Sequence, residues 1–219
     1  MLVHAESVKL QLDKLRNIIG FKEPNSSKQP DYLGIELKTT RQFSKKRSTI
    51  FAQVAEWKNS VIKSSAEMLD KYGYSREDSY KLYCTVRAGI ANPQGLSFDV
   101  DLEKDILFEI HEIDGITLVW SGKLLRQRLL EKHKETFWIE AESFVNDEGI
   151  ECFILKQVIH TKNPLLSQLL PLLKDRVITM DHLIKRSGKT NKVSEKGPLF
   201  KINSKNLNLL FPEPVYYEI

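Results

Sequence analysis

The 219-residue chain is 41% apolar and 28% charged, with 10 Gly and 8 Pro, a balance that buries one substantial core and excludes disordered, collagen-like and fibrous proteins. Its 33 Lys and Arg against 29 Asp and Glu leave a net charge of +4, too small to name a partner by itself. The longest apolar runs, at Ile18–Ile19 and Leu169–Leu173, fall far short of the ~20 residues of a membrane span, and the start MLVHAESVKL lacks the apolar stretch of a signal peptide, so a soluble, cytoplasmic protein is expected.

Val8, Leu12, Leu15 and Ile18–Ile19 recur at helical spacing before Gly20, predicting an amphipathic helix over 4–19. PNSSKQP, at 24–30, is a loop. In YLGIELKT, Leu33, Ile35 and Leu37 alternate with Gly34, Glu36 and Lys38, the period of a strand with one buried face. A helix over about 61–72 stops at Gly73. The short alternating runs KLYCTVRA, LSFDVDL, DILFEIHEI and GITLVW then predict an antiparallel meander. Leu124, Leu125, Arg128, Leu129 and Lys132 mark another helix, followed by the strand TFWIEAES, the turn VNDEG and the strand IECFILKQVI. PLLSQLLPLLKD reads as a helix kinked at Pro171, and the C-terminal part holds a strand LFKIN and a helix capped by Ser204. Cys84 and Cys152 lie in apolar runs without metal-ligand spacing and read as buried free thiols, which excludes a disulfide scaffold or a zinc ribbon.

Charge is distributed unevenly. Lys38, Arg41, Lys45, Lys46 and Arg47 fall in a stretch without acids, and Lys185, Arg186, Lys189, Lys192, Lys196, Lys201 and Lys205 surround only Glu195. Asp99 to Asp114 is acidic. Two basic segments suit a polyanion, because Lys and Arg on phosphates gain affinity by counterion release; solvated Lys-rich loops are the alternative. The basic stretch 184–198 is the best candidate for a mobile loop.

The chemistry concentrates in PDYLGIELK. Asp31 stands at the mouth of a strand, and Glu36 and Lys38 project from one side of it. Two carboxylates on a bent strand offer hard oxygen ligands to a divalent cation such as Mg²⁺, which stabilises charge developing on a phosphodiester, while a neighbouring Lys orients water. An exposed strand face bearing an i,i+2 ion pair accounts for the same residues and is favoured by the pattern alone; its position on an amphipathic strand, followed by a basic run, brings the two readings level.

PDYLGIELKTTR resembles the active-site strand of the PD-(D/E)xK nucleases, in particular the MvaI/BcnI restriction endonucleases and the related mismatch-repair nicking enzyme MutH. The likeness continues in LLRQRLLEKHKETFWIEAES, at 124–143, similar to the family's helix and strand ending in Ala-Glu-Ser. EKGPLFKIN, at 195–203, stands where the family has an Asp-His-Gly-x-x-Phe-Arg-Ile segment. The resemblance implies a mixed α/β fold: a central, largely antiparallel sheet flanked by helices, forming a cleft for double-stranded DNA. It implies one nuclease domain over 1–219, with the catalytic motif in 1–90 and the sheet, helices and recognition segments in 91–219.

By position, the resemblance makes Asp31 and Glu36 metal ligands with the carbonyl of Leu37, and Lys38 the residue that orients the attacking water. Asp31, Glu36 and Lys38 are thus the expected catalytic residues, with Mg²⁺ as cofactor. The family's helix-borne acid falls at Arg16, so Asp13 or Glu6 is the substitute. Expected DNA contacts are Arg41, Lys45, Arg47, Arg186, Lys189, Lys192, Glu195, Lys196 and Lys201. In the last segment Glu195 and Lys196 replace Asp-His and Lys201 replaces Arg, as expected for a different recognition sequence, or for phosphate contacts alone. The implied activity is Mg²⁺-dependent, sequence-specific hydrolysis of double-stranded DNA leaving a 5′-phosphate, by a monomeric Type II enzyme partnered by a methyltransferase. A MutH-like nickase and a DNA-binding module without catalysis are the alternatives.

Other residues carry less. His182, next to Asp181, reads as a surface residue or a DNA contact, and His133 and His160 have no metal-spaced partners. Trp57, Trp120 and Trp138 read as packing. Glu140 and Glu142 face either the active cleft or solvent.

Overall fold

The computed structural model describes residues 2–5, 34–41, 46–76, 79–186 and 192–218. The chain forms two compact units, one from Met1–Ser48, Leu129–Leu165 and Leu207–Ile219, the other from Thr49–Arg128 and Leu166–Asn206.

The first unit is built on a long antiparallel hairpin, β9 (Glu135–Val145) and β10 (Glu151–Lys162). Its turn is set by Asn146, whose Oδ1 accepts from the N–H groups of Glu148 (3.1 Å) and Ile150 (2.8 Å), and by Gly149 at φ 76°, backbone that glycine adopts without strain. The register shifts between Leu155 and Gln157, leaving Lys156 as a bulge. β1 (Leu2–Ala5) and β14 (Val215–Glu218) pair with successive parts of β10, and β2 (Glu36–Arg41) runs parallel to β9 at the other edge. Because paired residues share a face, the register Glu36↔Thr136, Lys38↔Trp138, Thr40↔Glu140 puts Glu36 and Lys38 on the side of Trp138 and Leu37 on the opposite, buried side. Trp138 stacks on His133, with ring centroids 5.5 Å apart and planes within 1°, and Phe211 lies 5.8 Å away; Trp138 Nε1 donates to Thr161 Oγ1 at 2.9 Å. The face carrying the acid therefore also carries an aromatic cluster.

The second unit contains a six-stranded sheet. Its order is β3 (Ser48–Ala52), β13 (Leu199–Ile202), β11 (Ile178–Arg186), β5 (Ser79–Val86), β4 (Tyr74–Arg76), with β12 (Val193–Glu195) also on β11. Leu82, Val86, Met180, Ile184, Phe200 and Ile202, the even-numbered positions, are buried on one face. A separate antiparallel meander comprises β6 (Leu96–Asp101), β7 (Ile106–His111) and β8 (Gly115–Ser121). Trp120 of β8 meets Phe98 and Phe200 edge-on, at 6.1 and 6.0 Å. The predicted four-run meander thus has three strands. KLYCTVRA pairs with β11 instead, because the chain turns after Val86 through the Arg87↔Ile90 bridge with Gly89 at φ 64°.

The helix expected over 61–72 is α1 (Ser65–Tyr72). Val61 and Ile62 both donate their N–H groups to Thr117 O at 3.1 Å, which holds them outside the helix, and Ser64 caps it by accepting from Glu67 N at 3.2 Å. At the other end Gly73 N donates to Leu69 O at 2.8 Å, and a Cβ at Gly73 would lie 2.3 Å from that same backbone oxygen. Gly73→Ala is therefore expected to destabilise the protein by about 1–3 kcal/mol, seen as an earlier urea unfolding midpoint.

The chain passes from the second unit to the first within α2 (Gly122–His133), whose last turn carries Lys132 and His133. PLLSQLLPLLKD is a 3₁₀ turn (Leu166–Gln168) and then α3 (Leu169–Lys174). Pro171 falls in the first turn of α3, where its missing N–H costs nothing, so no kink forms. Ser204 opens a 3₁₀ turn rather than capping a helix; Asn203 Oδ1 accepts from Lys205 N at 3.2 Å, and α4 (Leu207–Leu210) follows. In the expected loop 184–198, residues 184–186 continue β11 and 193–195 form β12, while 187–191 lie outside the described residues. Of the predicted helix over 4–19, residues 4 and 5 belong to β1 and the rest lies outside the described residues. Neither cysteine is in a disulfide; Cys152 is buried and Cys84 half-buried, and burial, with the charge of Glu109, pushes the Cys84 thiol up to about 12. No helix among the described residues is long and apolar enough to cross a membrane.

Candidate active site

Glu36 is 1% exposed, and both of its carboxylate oxygens are occupied. Lys38 Nζ donates to Oε1 at 2.5 Å from two residues along the same strand, and Lys132 Nζ donates to Oε2 at 2.9 Å from the last turn of α2. Burial, the largest single influence, favours the neutral acid; the charges and hydrogen bonds of Lys38 and Lys132 together outweigh it and hold Glu36 below the usual carboxylate range. The site is thus a buried carboxylate kept ionised by two cations, one of which, Lys132, the sequence marked only as part of a helix. Lys132 sits one turn after Leu129 on the helix side that buries Leu125 and Leu129, and a lysine on the apolar side of an amphipathic helix is the signal that marks it.

Asp31, Glu6 and Asp13 lie outside the described residues. Among the described residues no group of three or more His, Cys, Asp and Glu side chains forms a metal cage. The donor chemistry nonetheless fits a hard divalent cation, since Glu36 offers an ionised carboxylate with the Leu37 carbonyl next to it on the strand. Glu140 stands on the same side of the sheet as Lys38, opposite Thr40, whereas Glu142 pairs with Lys156 at 2.9 Å.

The expected DNA contacts separate by environment. Arg41 donates to Glu151 Oε1 at 2.6 Å. Arg186 is paired with Asp70, and Glu195 accepts from Ser65 Oγ, so both are tied to α1. Lys201 lies 2.8 Å from Asp181 Oδ2, and Asp181 Oδ1 accepts from Thr85 Oγ1 at 2.7 Å. Lys192 and Lys196 are exposed and Arg47 is half-buried, while Lys45 and Lys189 lie outside the described residues. His182 is neither a surface residue nor a DNA contact. It is 1% exposed, on the inner face of β11, with Nε2 2.8 Å from Glu109 Oε2, and its Nδ1 has no hydrogen-bond partner. Glu109 Oε1 accepts from Thr117 Oγ1 at 3.2 Å. His160 likewise serves structure, 2.8 Å from Glu135.

A parallel edge strand bearing Glu36 and Lys38 beside a long hairpin is the frame of a restriction endonuclease. The fold is shared with restriction endonuclease MvaI: its complex with cognate DNA substrate matches with a TM-score of 0.83 at 21% identity, over 98% of this chain and 91% of that one. MvaI in the absence of DNA matches with a TM-score of 0.60 at 22% identity, over 85% of this chain and 80% of that one. The family model of the MvaI/BcnI restriction endonuclease family matches residues 14–211, and the chain belongs to that family. It is accordingly a Type II site-specific deoxyribonuclease. No curated protein sequence matches it.

Proposed function

We propose that this chain hydrolyses phosphodiester bonds of double-stranded DNA at a specific sequence in a Mg²⁺-dependent reaction, leaving a 5′-phosphate. The observation that carries this reading is the buried, ionised Glu36 between Lys38 and Lys132, on the strand that matches the family's catalytic motif. Glu36, the Leu37 carbonyl and Asp31 would hold the ion. When bound, it supplies positive charge to the reacting phosphate and lowers the pKa of water. Lys38, with 24% of its side chain exposed, donates to a water approaching the phosphorus and fixes its direction of attack. Lys132, less exposed at 14%, is a positioning residue that keeps Glu36 charged and oriented. Asp13 or Glu6 would supply the helix-borne acid.

Lys45, Arg47, Lys189, Lys192 and Lys196 would grip the backbone. Arg41, Arg186, Glu195 and Lys201 reach DNA by exchanging the protein partners they hold. The enzyme is proposed to act as a cytoplasmic monomer, with a DNA methyltransferase protecting the host genome. Incubation with plasmid and phage DNA in Mg²⁺ should give discrete fragments, absent with Lys38→Ala and with EDTA. Intact DNA across several unmethylated substrates would overturn the reading.

A further inference from the structure

The six-stranded sheet of the second unit has two dissimilar faces. On the inner face Leu82 and Val86 of β5 and Ile178, Met180, His182 and Ile184 of β11 are buried, with the unit's apolar core. The charged groups at the inner edge, Arg186 and Glu195, have partners on α1. On the outer face, register places Tyr74, Lys81, Lys185 and Ser194 in one row across β4, β5, β11 and β12. Tyr83 and Leu183 form the next row, then Thr85, Asp181 and Leu199.

Lys81 and Lys185 are thus directly opposed across neighbouring strands, an arrangement that costs stability unless an anion lies over it. Lys81 Nζ lies 5.6 Å from the Tyr83 ring centroid, and Tyr83 is 41% exposed. Lys185, Arg76 and Arg87 are exposed on the same side. Asp181 is the acid these rows contain, and Lys201 and Thr85 already hold it. Next to the rows, Tyr74, Tyr83, Thr85, Arg87 and Asn92 line a groove of about 420 Å³.

We propose that this outer face is a docking surface for the sugar–phosphate backbone of the DNA substrate, with Lys81 and Lys185 on phosphates and Tyr83 against the sugar. The inference rests on the endonuclease reading and extends it to a surface that the sequence comparison does not assign. Like-charged side chains in register, with the acid of these rows already paired, fit a polyanion rather than a protein of mixed charge. Such contacts position the duplex without reading it, so they act alike on every sequence.

The test is binding of a fluorescently labelled duplex, measured by anisotropy across NaCl concentrations without divalent ion, for the wild type and the double variant Lys81→Ala/Lys185→Ala. Loss of two phosphate contacts should flatten the plot of log affinity against log salt by about 1.8 in slope, equally on unrelated sequences. The thermal midpoint should hold or rise, because a like-charge pair is removed. If the alanine pair folds poorly, Lys81→Gln/Lys185→Gln gives the same readout with the side-chain stems kept. A double variant with wild-type slope and affinity overturns this surface and leaves the endonuclease reading intact. A wild type without DNA affinity even at low salt overturns both.

Discussion

Replacement of Lys132 by methionine is expected to reduce DNA cleavage about a hundredfold or more, with Lys132→Arg recovering much of the loss. Glu36 is buried, and its charge is held by two ammonium groups, at 2.5 and 2.9 Å. Removing one partner of a buried ion pair leaves charge uncompensated, a cost of roughly 3–5 kcal/mol in folded proteins. The site relieves that cost by taking a proton, because burial already favours the neutral acid and Lys132 is one of the two charges opposing it. Glu36 in Lys132→Met therefore titrates at higher pH than in the wild type. In the proposed mechanism the ionised carboxylate holds the metal, so the acid limb of the pH–rate profile should move to higher pH, and the arginine variant should move it back. A purely structural role for Lys132 would lower the rate at every pH alike, so single-turnover rates measured across pH separate the two.

Glu109→Ala should be the most destabilising single change in the second unit, by about 3–5 kcal/mol, which lowers the melting temperature by about 10 °C in a chain of this size. Glu109 is 0% and His182 1% exposed, and their 2.8 Å contact links the meander to the inner face of the six-stranded sheet. Burial, the largest influence, favours the neutral ring; the charge and hydrogen bond of Glu109, with Glu195 and Asp181, outweigh it and raise the His182 pKa. A raised folded value means that the contribution is complete below the unfolded value of about 6.5 and is lost as pH climbs through the folded one. The stability gap between wild type and Glu109→Gln, read from urea unfolding, should be widest in mild acid and shrink toward alkaline pH. A gap that is constant with pH would show that the pair contributes as a neutral hydrogen bond.

Much of the catalytic strand was readable from its period. Residues at i and i+2 of a strand share a side whatever the partner, which is why Glu36 and Lys38 meet as their spacing implies. Lys132 was not readable that way, since its place beside Glu36 depends on α2 ending over β2, a long-range packing decision. His182 shows a signal misread rather than missing. Ile178, Met180, His182 and Ile184 alternate on β11, so the imidazole occupies a core position of an apolar strand face, and its neighbour Asp181 faces the other way. The meander failed at its first run because alternation reports that a strand has one buried face and says nothing about its partner. Val61 and Ile62 left the predicted helix because two backbone bonds to Thr117 outweighed a helical spacing without a cap at that point.

The first unit is assembled from three separated stretches of sequence: the strand bearing Glu36, the segment from Leu129 that brings Lys132 and the hairpin, and the C-terminal piece from Leu207. A ribosome delivers these in order, with the whole second unit threaded between them, and domains fold as their residues become available. A nascent chain that has not reached Lys132 therefore carries Glu36 and Lys38 without the second ammonium that holds the charge. The carboxylate's full set of charged partners is thus assembled only after the 80 residues Thr49–Arg128 of the second unit have been made, which ties the charge of the site to the folding of a distant stretch of chain.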